Sequence, residues 1–457
     1  MPRVSFPQVL QRHVACPPVD VEGGTVKEAL AAAFAVYPSV RGYVLDDGGA
    51  LRPHVTVFVD GEVVRDRRRL EAPVAPGARI DVLPALSGGS PMPRQLLLGT
   101  RKGLFTATES GRSWTVDAPS FRGVPVSMVL ADPRDGALYA ALDHGHFGVK
   151  LHRRTGRRWT ELAAPAYPQL PDGEVEHDAF GRPWPRTLKL IWSLEVDPRA
   201  EGAVWCGTIP GGLFHSADGG ASWQLQESLW NQEGRRKWFG GGYDVPGIHS
   251  VLVDPRDAAR VTLGVSCGGT WRTDDGGRSW RNTAHGMRAA YLPKERAFEV
   301  DAQDPHRLAL CAADPDRIWC QHHNGIFVTG RDGTWREVEA KAPSRFGFAV
   351  AAHPAEPDTA WFVPAEKDEC RVPVDGKVVV LRTTDGGRSF DVLTQGLPQE
   401  HAYDLVYRHG LDVTADGDTL AMGSTSGRVW IGEGGGERWR ELPANLPPVY
   451  CVRWSET

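Results

Sequence analysis

The chain lacks the features that would assign it to a membrane, to nucleic acid or to a disulfide scaffold. Among its 457 residues no run reaches the ~18 apolar positions that a spanning helix requires. The opening Met1-Pro2-Arg3-Val4-Ser5-Phe6 has no apolar core of the kind a secretory signal carries. Net charge is −5, with basic side chains interspersed among acidic ones, so the basic footprint of a nucleic-acid binder is missing. One short basic run, Arg65-Asp66-Arg67-Arg68-Arg69, reads as a solvated turn. The cysteines are seven, an odd number, and no two form a CxxC pair. Cys206 and Cys320 sit in strand-like apolar runs and read as small buried hydrophobes in a reducing compartment, not as a disulfide framework or zinc site. A soluble cytoplasmic protein without membrane or nucleic-acid partners is expected, and no cofactor is expected.

What is present is globular composition, 41% hydrophobic and 24% charged, in a chain long enough for two or three domains. Residues 1–89 carry one helix among strands. Thr25 can cap a helix that Glu28 completes as a capping box and Pro38 ends. His54-Val55-Thr56-Val57-Phe58-Val59 turns at Asp60-Gly61 into Glu62-Val63-Val64, a hairpin signal, and Arg79-Ile80-Asp81-Val82-Leu83-Pro84 supplies a closing strand. This is an α+β unit with one helix on one sheet. Through Val57-Phe58-Val59-Asp60-Gly61-Glu62, and Pro76-Gly77 through Ser87-Gly88-Gly89, it resembles the MoaD/ThiS family of sulfur carriers, which have the β-grasp, ubiquitin-like fold.

The resemblance implies that Gly88-Gly89 is a carrier tail, adenylated and thiocarboxylated at its terminal carboxylate, with an E1-like activating enzyme as partner. Glycines suit such a tail because it must thread a narrow channel. Here Gly89 is followed by Ser90-Pro91-Met92-Pro93-Arg94, so in the intact chain its carboxylate is an amide. A processing protease could cut after Gly89, translation or cleavage near Met92 could yield the C-terminal part separately, or residues 90–94 could be an inert Gly/Ser/Pro-type linker.

Residues 95–457 are governed by an internal repeat. Ser216-Ala217-Asp218-Gly219-Gly220-Ala221-Ser222-Trp223, Thr273-Asp274-Asp275-Gly276-Gly277-Arg278-Ser279-Trp280 and Thr383-Thr384-Asp385-Gly386-Gly387-Arg388-Ser389-Phe390 match one template. Degenerate copies end at Trp114, Trp159, Trp335 and Trp439. This resembles the Asp-box, or BNR, repeat of sialidase-like propellers, and seven copies imply an all-β, seven-bladed β-propeller. In each box Asp218, Asp275 or Asp385 accepts turn N–H groups while Trp223, Trp280 or Phe390 packs inward, a structural role. Asp132-Pro133, Asp197-Pro198 and Asp254-Pro255 mark turns after innermost strands, with variants at Asp304-Pro305 and His353-Pro354. The chain starts this domain on a second strand, Leu96-Leu97-Leu98, and ends on a first strand, Tyr450-Cys451-Val452, so joining them closes the ring.

Alternation of turns places the connections between blades on one face, and the long ones, 168–189, 228–247 and 283–299, concentrate there. Binding of a protein or carbohydrate is expected on this face, with His144, His146, Lys189, Trp192, Trp238, Tyr243, His249, His322, His323, Phe348, Lys367, His401 and Tyr403 as candidate residues. Trp192, His249, Phe348 and Tyr403 should rim the channel. His144/His146 and His322-His323 could hold a metal with a further rim histidine. A sialidase-like glycoside hydrolase is the alternative to a binding platform. Arg122, Arg186, Arg345, Glu299 and Tyr403 are its candidate catalytic residues, and it would need three convergent arginines with a Tyr–Glu contact.

Overall fold

The computed structural model describes residues 1–6, 16–46, 49–52, 55–64, 66, 69–84, 94–111, 113–240 and 243–455. Gly88 and Gly89 lie outside the described residues, as do three arginines of the basic run. The chain divides into two compact units, Met1–Pro93 and Arg94–Thr457.

In the first unit a five-stranded sheet runs in the order Val19–Asp20, Arg3–Ser5, Arg79–Pro84, Val55–Val59, Glu62–Val63. Arg3–Ser5 pairs parallel with Arg79–Pro84 at its centre, the arrangement of a β-grasp. Helix Val26–Val36 buries Val26, Ala29, Leu30, Ala33 and Phe34, positions spaced at three and four, against the sheet. Thr25 Oγ1 accepts the Glu28 N–H at 3.3 Å. The Glu28 carboxylate accepts the Gly24 N–H at 2.8 Å, one residue earlier than a capping box would use, with Thr25 itself bridged to Pro73. Asp60 and Gly61 adopt φ of 50° and 88°, the left-handed pair that a two-residue hairpin turn needs.

The second unit consists of seven four-stranded antiparallel sheets. Numbered from the N-terminus, their innermost strands are Val449–Ser455, Val126–Ala131, Leu190–Val196, Ile248–Asp254, Pro305–Cys311, Gly347–Ala352 and Leu411–Val413. Blade 1 is completed across the ends of the domain, Val449–Ser455 pairing with Gln95–Thr100. Arg94 belongs to the propeller: its guanidinium bonds Glu109 at 2.7 Å and Thr419 at 2.6 Å.

The repeated hairpins are built as their residue types demand. Asp275 accepts the Ser279 N–H at 2.9 Å, the Thr273 hydroxyl at 2.7 Å and the Ser279 hydroxyl at 2.6 Å. Asp218 and Asp385 repeat this pattern. Against the raising effect of burial, the hydrogen bonds from Ser389 and Thr383 bring the Asp385 carboxyl down to about 2. These aspartates are structural acceptors. The hairpins sit beside the turns that follow the innermost strands, with Gly219 N–H on Gly202 O at 2.8 Å and Gly276 N–H on Ala259 O at 2.8 Å. Trp223 donates its indole N–H to Ala163 O of the preceding segment at 3.0 Å, tying neighbouring blades.

One turn assignment changes. Asp132, Asp197 and Asp254 each accept the N–H of the arginine two residues on, as turn formers do. Asp304-Pro305 instead opens the innermost strand of blade 5, whose far end turns at residues 312–313 before Asp314-Pro315 opens the second strand. Asp304 accepts the Cys267 N–H at 3.0 Å, a long-range bond no turn would make. The dipeptide is shared, but its place along the strand is reversed. All seven cysteines are free, and six of them, including Cys206 and Cys320, are buried.

Each innermost strand needs close approach to its partner. A Cβ on Gly207 would lie 2.2 Å from Ser193 Oγ and 2.6 Å from Ile248 O, the latter a main-chain atom. Gly207→Ala is expected to destabilise the propeller by about 1–3 kcal/mol, seen as an earlier urea midpoint with an unchanged slope. An unaltered midpoint would contradict this packing.

Candidate functional site

Six innermost strands carry a one-residue bulge near their start, leaving Ser127, Trp192, His249, His306, Phe348 and Tyr450 without a pairing partner. A bulge re-aims a side chain without breaking the ladder beyond it. The seventh innermost strand begins later, at Leu411, and is preceded by Tyr407, Arg408 and His409.

Residues from this set enclose a cavity of about 260 Å³. Trp192, Tyr243, Tyr407 and Tyr450 give it aromatic walls; Arg371 and Arg408 supply cationic groups, and Asp143 is its one carboxylate among the described residues. Arg408 is 8% exposed. Its guanidinium lies 4.7 Å from the Trp192 ring centroid and 5.3 Å from that of Phe348. Its Nε is enclosed without a hydrogen-bond partner, and no carboxylate of the described residues forms an ion pair with the group. Arg371 is 39% exposed and bonded to Asp368 at 2.5 Å.

Behind the cavity the polar groups are satisfied. His249 donates Nε2–H to Pro305 O at 2.7 Å, and its Nδ1 lies 2.9 Å from Ser250 Oγ. His409 donates Nε2–H to His249 O at 2.8 Å. Burial, reinforced by Arg408 and Arg307 at His249 and by Arg307 and Arg453 at His409, holds both imidazoles well below the usual histidine range.

The anticipated residues divide into groups. Trp192 and Tyr243 line the cavity, with rings 5.4 Å apart. His249 and Phe348 are bulge residues but fully enclosed. Trp238 is a correction: it is wholly buried against Trp271, because the connection carrying it folds down onto blade 4. Tyr403 is another, 68% exposed and away from the channel, since its blade's innermost strand starts eight residues later. It lines a separate depression with His401 and Glu366. Lys189 and Lys367 are exposed. His144 and His146 flank Phe147 in a short helical turn, and among the described residues no third ligand joins them.

The candidate catalytic set does not assemble. Arg186 pairs with Glu176 at 2.7 Å, Arg345 with Glu337 at 3.7 Å and Glu299 with Arg296 at 2.7 Å. Arg122 is exposed in the turn before blade 2, and none of the five, Tyr403 included, lines the cavity. The three long connections spend their charge on one another: Arg235 joins Glu176 and lies over the Trp230 ring, and Lys237 meets Asp301 at 3.1 Å.

His322 is buried, its ring nitrogens facing the N–H groups of Asp304 and Asn324, and burial pushes it down to about 3. His323 turns instead toward Asp304, Nδ1 to Oδ2 3.4 Å, and His306 approaches the same oxygen with Nε2 at 3.5 Å. Asp304 was marked only as a variant of the Asp-Pro turn, and His306 by no motif.

Residues 13–89 match the ThiS family. The chain carries a ThiS-family domain at its N-terminus. The ThiS-family domain is similar to SAMP1 from Haloferax volcanii, at 30% identity over 19% of this chain and 98% of that one, with a TM-score of 0.17. It is also similar to a chain of the BexX/CysO complex of Amycolatopsis orientalis, at 29% identity over 20% of this chain and 100% of that one, with a TM-score of 0.18. The body is similar in fold to the GH74 xyloglucanase from Xanthomonas campestris, at 17% identity and a TM-score of 0.52 over 79% of this chain. The match covers 52% of that enzyme, so this chain spans about half its length. No curated protein matches the sequence.

The neutral histidines behind the cavity set an acid limit. Their folded values are depressed, so below the unfolded value of about 6.5 the unfolded chain binds protons that the folded chain refuses. Stability is expected to fall as pH drops from about 6.5, by up to about 1.4 kcal/mol per pH unit for each histidine. Urea denaturation between pH 7.5 and about 4.5 checks this, and His409→Asn should show a shallower decline. Equal slopes would contradict the assignment.

Proposed function

We propose that the chain joins a ubiquitin-like carrier or modifier domain to a propeller that acts as a binding platform, with the ligand site at the channel mouth around Arg408. The observation that carries this reading is the buried guanidinium of Arg408, whose Nε has no hydrogen-bond partner and which forms no ion pair with a carboxylate of the described residues. Removing such a cation from water costs several kcal/mol unless another charge and hydrogen bonds compensate. Two flanking rings supply cation–π attraction but accept none of the N–H donors. A carboxylate, sulfate or phosphate on a small ligand would accept them, while Trp192 and the tyrosines cover an apolar or sugar face.

Gly89 is the candidate processed and activated terminus of the ThiS-family domain. Cleavage after it would release the carboxylate that an activating enzyme adenylates, so a protease and an E1-like enzyme are the partners proposed. A retaining hydrolase needs a second carboxylate about 5 Å from the first. With Asp143 the one carboxylate at the cavity among the described residues, the platform reading is the better supported.

Thermal shift of the full chain against sulfate, phosphate, glucuronate, N-acetylneuraminate and aromatic carboxylates tests the site. At least one should raise Tm in the native protein and none in Arg408→Met, which should itself be neutral or more stable by about 1 kcal/mol. Equal responses in both proteins would remove Arg408 from the reading. For the carrier, intact-mass analysis of the protein from its own cells should reveal a species ending at Gly89. Full-length chain alone would count against processing.

A further inference from the structure

A second cluster lies at the start of blade 5, outside the cavity lining. Asp304 precedes the innermost strand, His306 is that strand's bulged residue, and His323 follows the second strand, Asp314–His322. The His323 N–H bonds Asp304 O at 2.9 Å, extending the ladder, so the three side chains stand on paired backbone rather than on free loops.

The three side chains bring one potential ligand atom each to a common place. Asp304 Oδ2 is 3.5 Å from His306 Nε2 and 3.4 Å from His323 Nδ1, and the three atoms lie within 4.8 Å of one another. Both contacts exceed the usual N–H···O hydrogen-bond range of about 2.7–3.2 Å. Both match the edge of about 3.3–3.4 Å between ligands held 2.0–2.1 Å from a tetrahedral ion. The surrounding hydrogen bonds orient the donors. His306 Nδ1 donates to Gly347 O at 2.7 Å, leaving the Nε2 lone pair toward the cluster. Asp304 Oδ1 is occupied by the Cys267 N–H at 3.0 Å and the Ser266 hydroxyl at 3.3 Å, leaving Oδ2 free. Asp304 and His306 are buried, whereas the His323 side chain is 21% exposed, which gives an ion a way in from solvent.

We propose that Asp304, His306 and His323 bind one divalent first-row transition-metal ion of the zinc class, with its remaining coordination positions open toward the His323 side. Two imidazoles and one carboxylate suit Zn²⁺, Co²⁺ or Fe²⁺ rather than Ca²⁺ or Mg²⁺, which prefer all-oxygen sets. The cluster neighbours the Arg408 site, since His306 stacks on Phe348 at 4.5 Å and Arg408 lies over the same ring, but its three ligating residues do not line that cavity.

The test is titration of the full chain, stripped with chelator, with Zn²⁺ by calorimetry and with Co²⁺ by visible absorption. One equivalent should bind, with visible d–d bands on Co²⁺ addition and a rise in Tm. His323→Ala, made at the least buried ligand, should weaken binding by about 100-fold or more, beyond the 10–100-fold typical of an outer-shell change. Asp304→Asn should do likewise, and His144→Asn/His146→Asn should bind as the native chain does. Absence of stoichiometric binding by the native chain would overturn the proposal and leave an Asp304–His323 ion pair. Unchanged affinity in His323→Ala would overturn it too, even if Asp304→Asn fails to fold.

Discussion

The antiparallel pairing of Val449–Ser455 with Gln95–Thr100 is the contact on which the larger domain depends. It joins strands from opposite ends of the propeller, supplies blade 1 with its innermost strand and closes the ring of blades. Trp454 from the last strand packs near Trp114 of Ser113–Val116, the outermost strand of the same blade, with ring centroids 5.9 Å apart. Closure also sets the geometry of everything inside. Innermost strands converge on one axis, and side chains at equivalent positions face each other whatever their separation in sequence.

Bulges convert that convergence into a site. An unbroken ladder would pair every residue along each innermost strand; a single extra residue near the start leaves one side chain per strand free to project. Ser127, Trp192 and Tyr450 thereby reach the cavity, while His249, His306 and Phe348 are enclosed behind it. Two of the bulged residues, Trp192 and Phe348, flank Arg408, which precedes the seventh innermost strand, and the bulge at His306 brings it to Asp304.

Much of this was legible from local signals. The Asp-Gly hairpins, the aromatic recurring through the repeat and the split first blade follow from residue types with fixed turn or packing preferences, and they count and close the blades. The helix opened at Thr25 and the turn at Asp60-Gly61 are equally local. The site was only partly legible. Trp192 could be placed from its position near the start of an innermost strand, and Tyr243 from its place in the connection before one. Trp238 could not be told from them, since burial depends on how a long connection folds back. Arg408 sits in no motif, and its meaning lies in lacking a partner, a property of three-dimensional surroundings. Asp304-Pro305 shared its dipeptide with true turns, and only long-range pairing with Cys267 separated them.

The sequence by itself determined the two domain types, the blade number and the manner of closure, because each rests on contacts within a few residues or on a repeated pattern of them. Tertiary structure alone decided which charges remain unpaired and which ligating atoms meet. Arg186, Arg345 and Glu299 found neighbours that neutralise them, while Arg408, Asp304, His306 and His323 did not spend their polar atoms in the same way. That outcome is fixed only when strands from distant parts of the chain are brought to one axis.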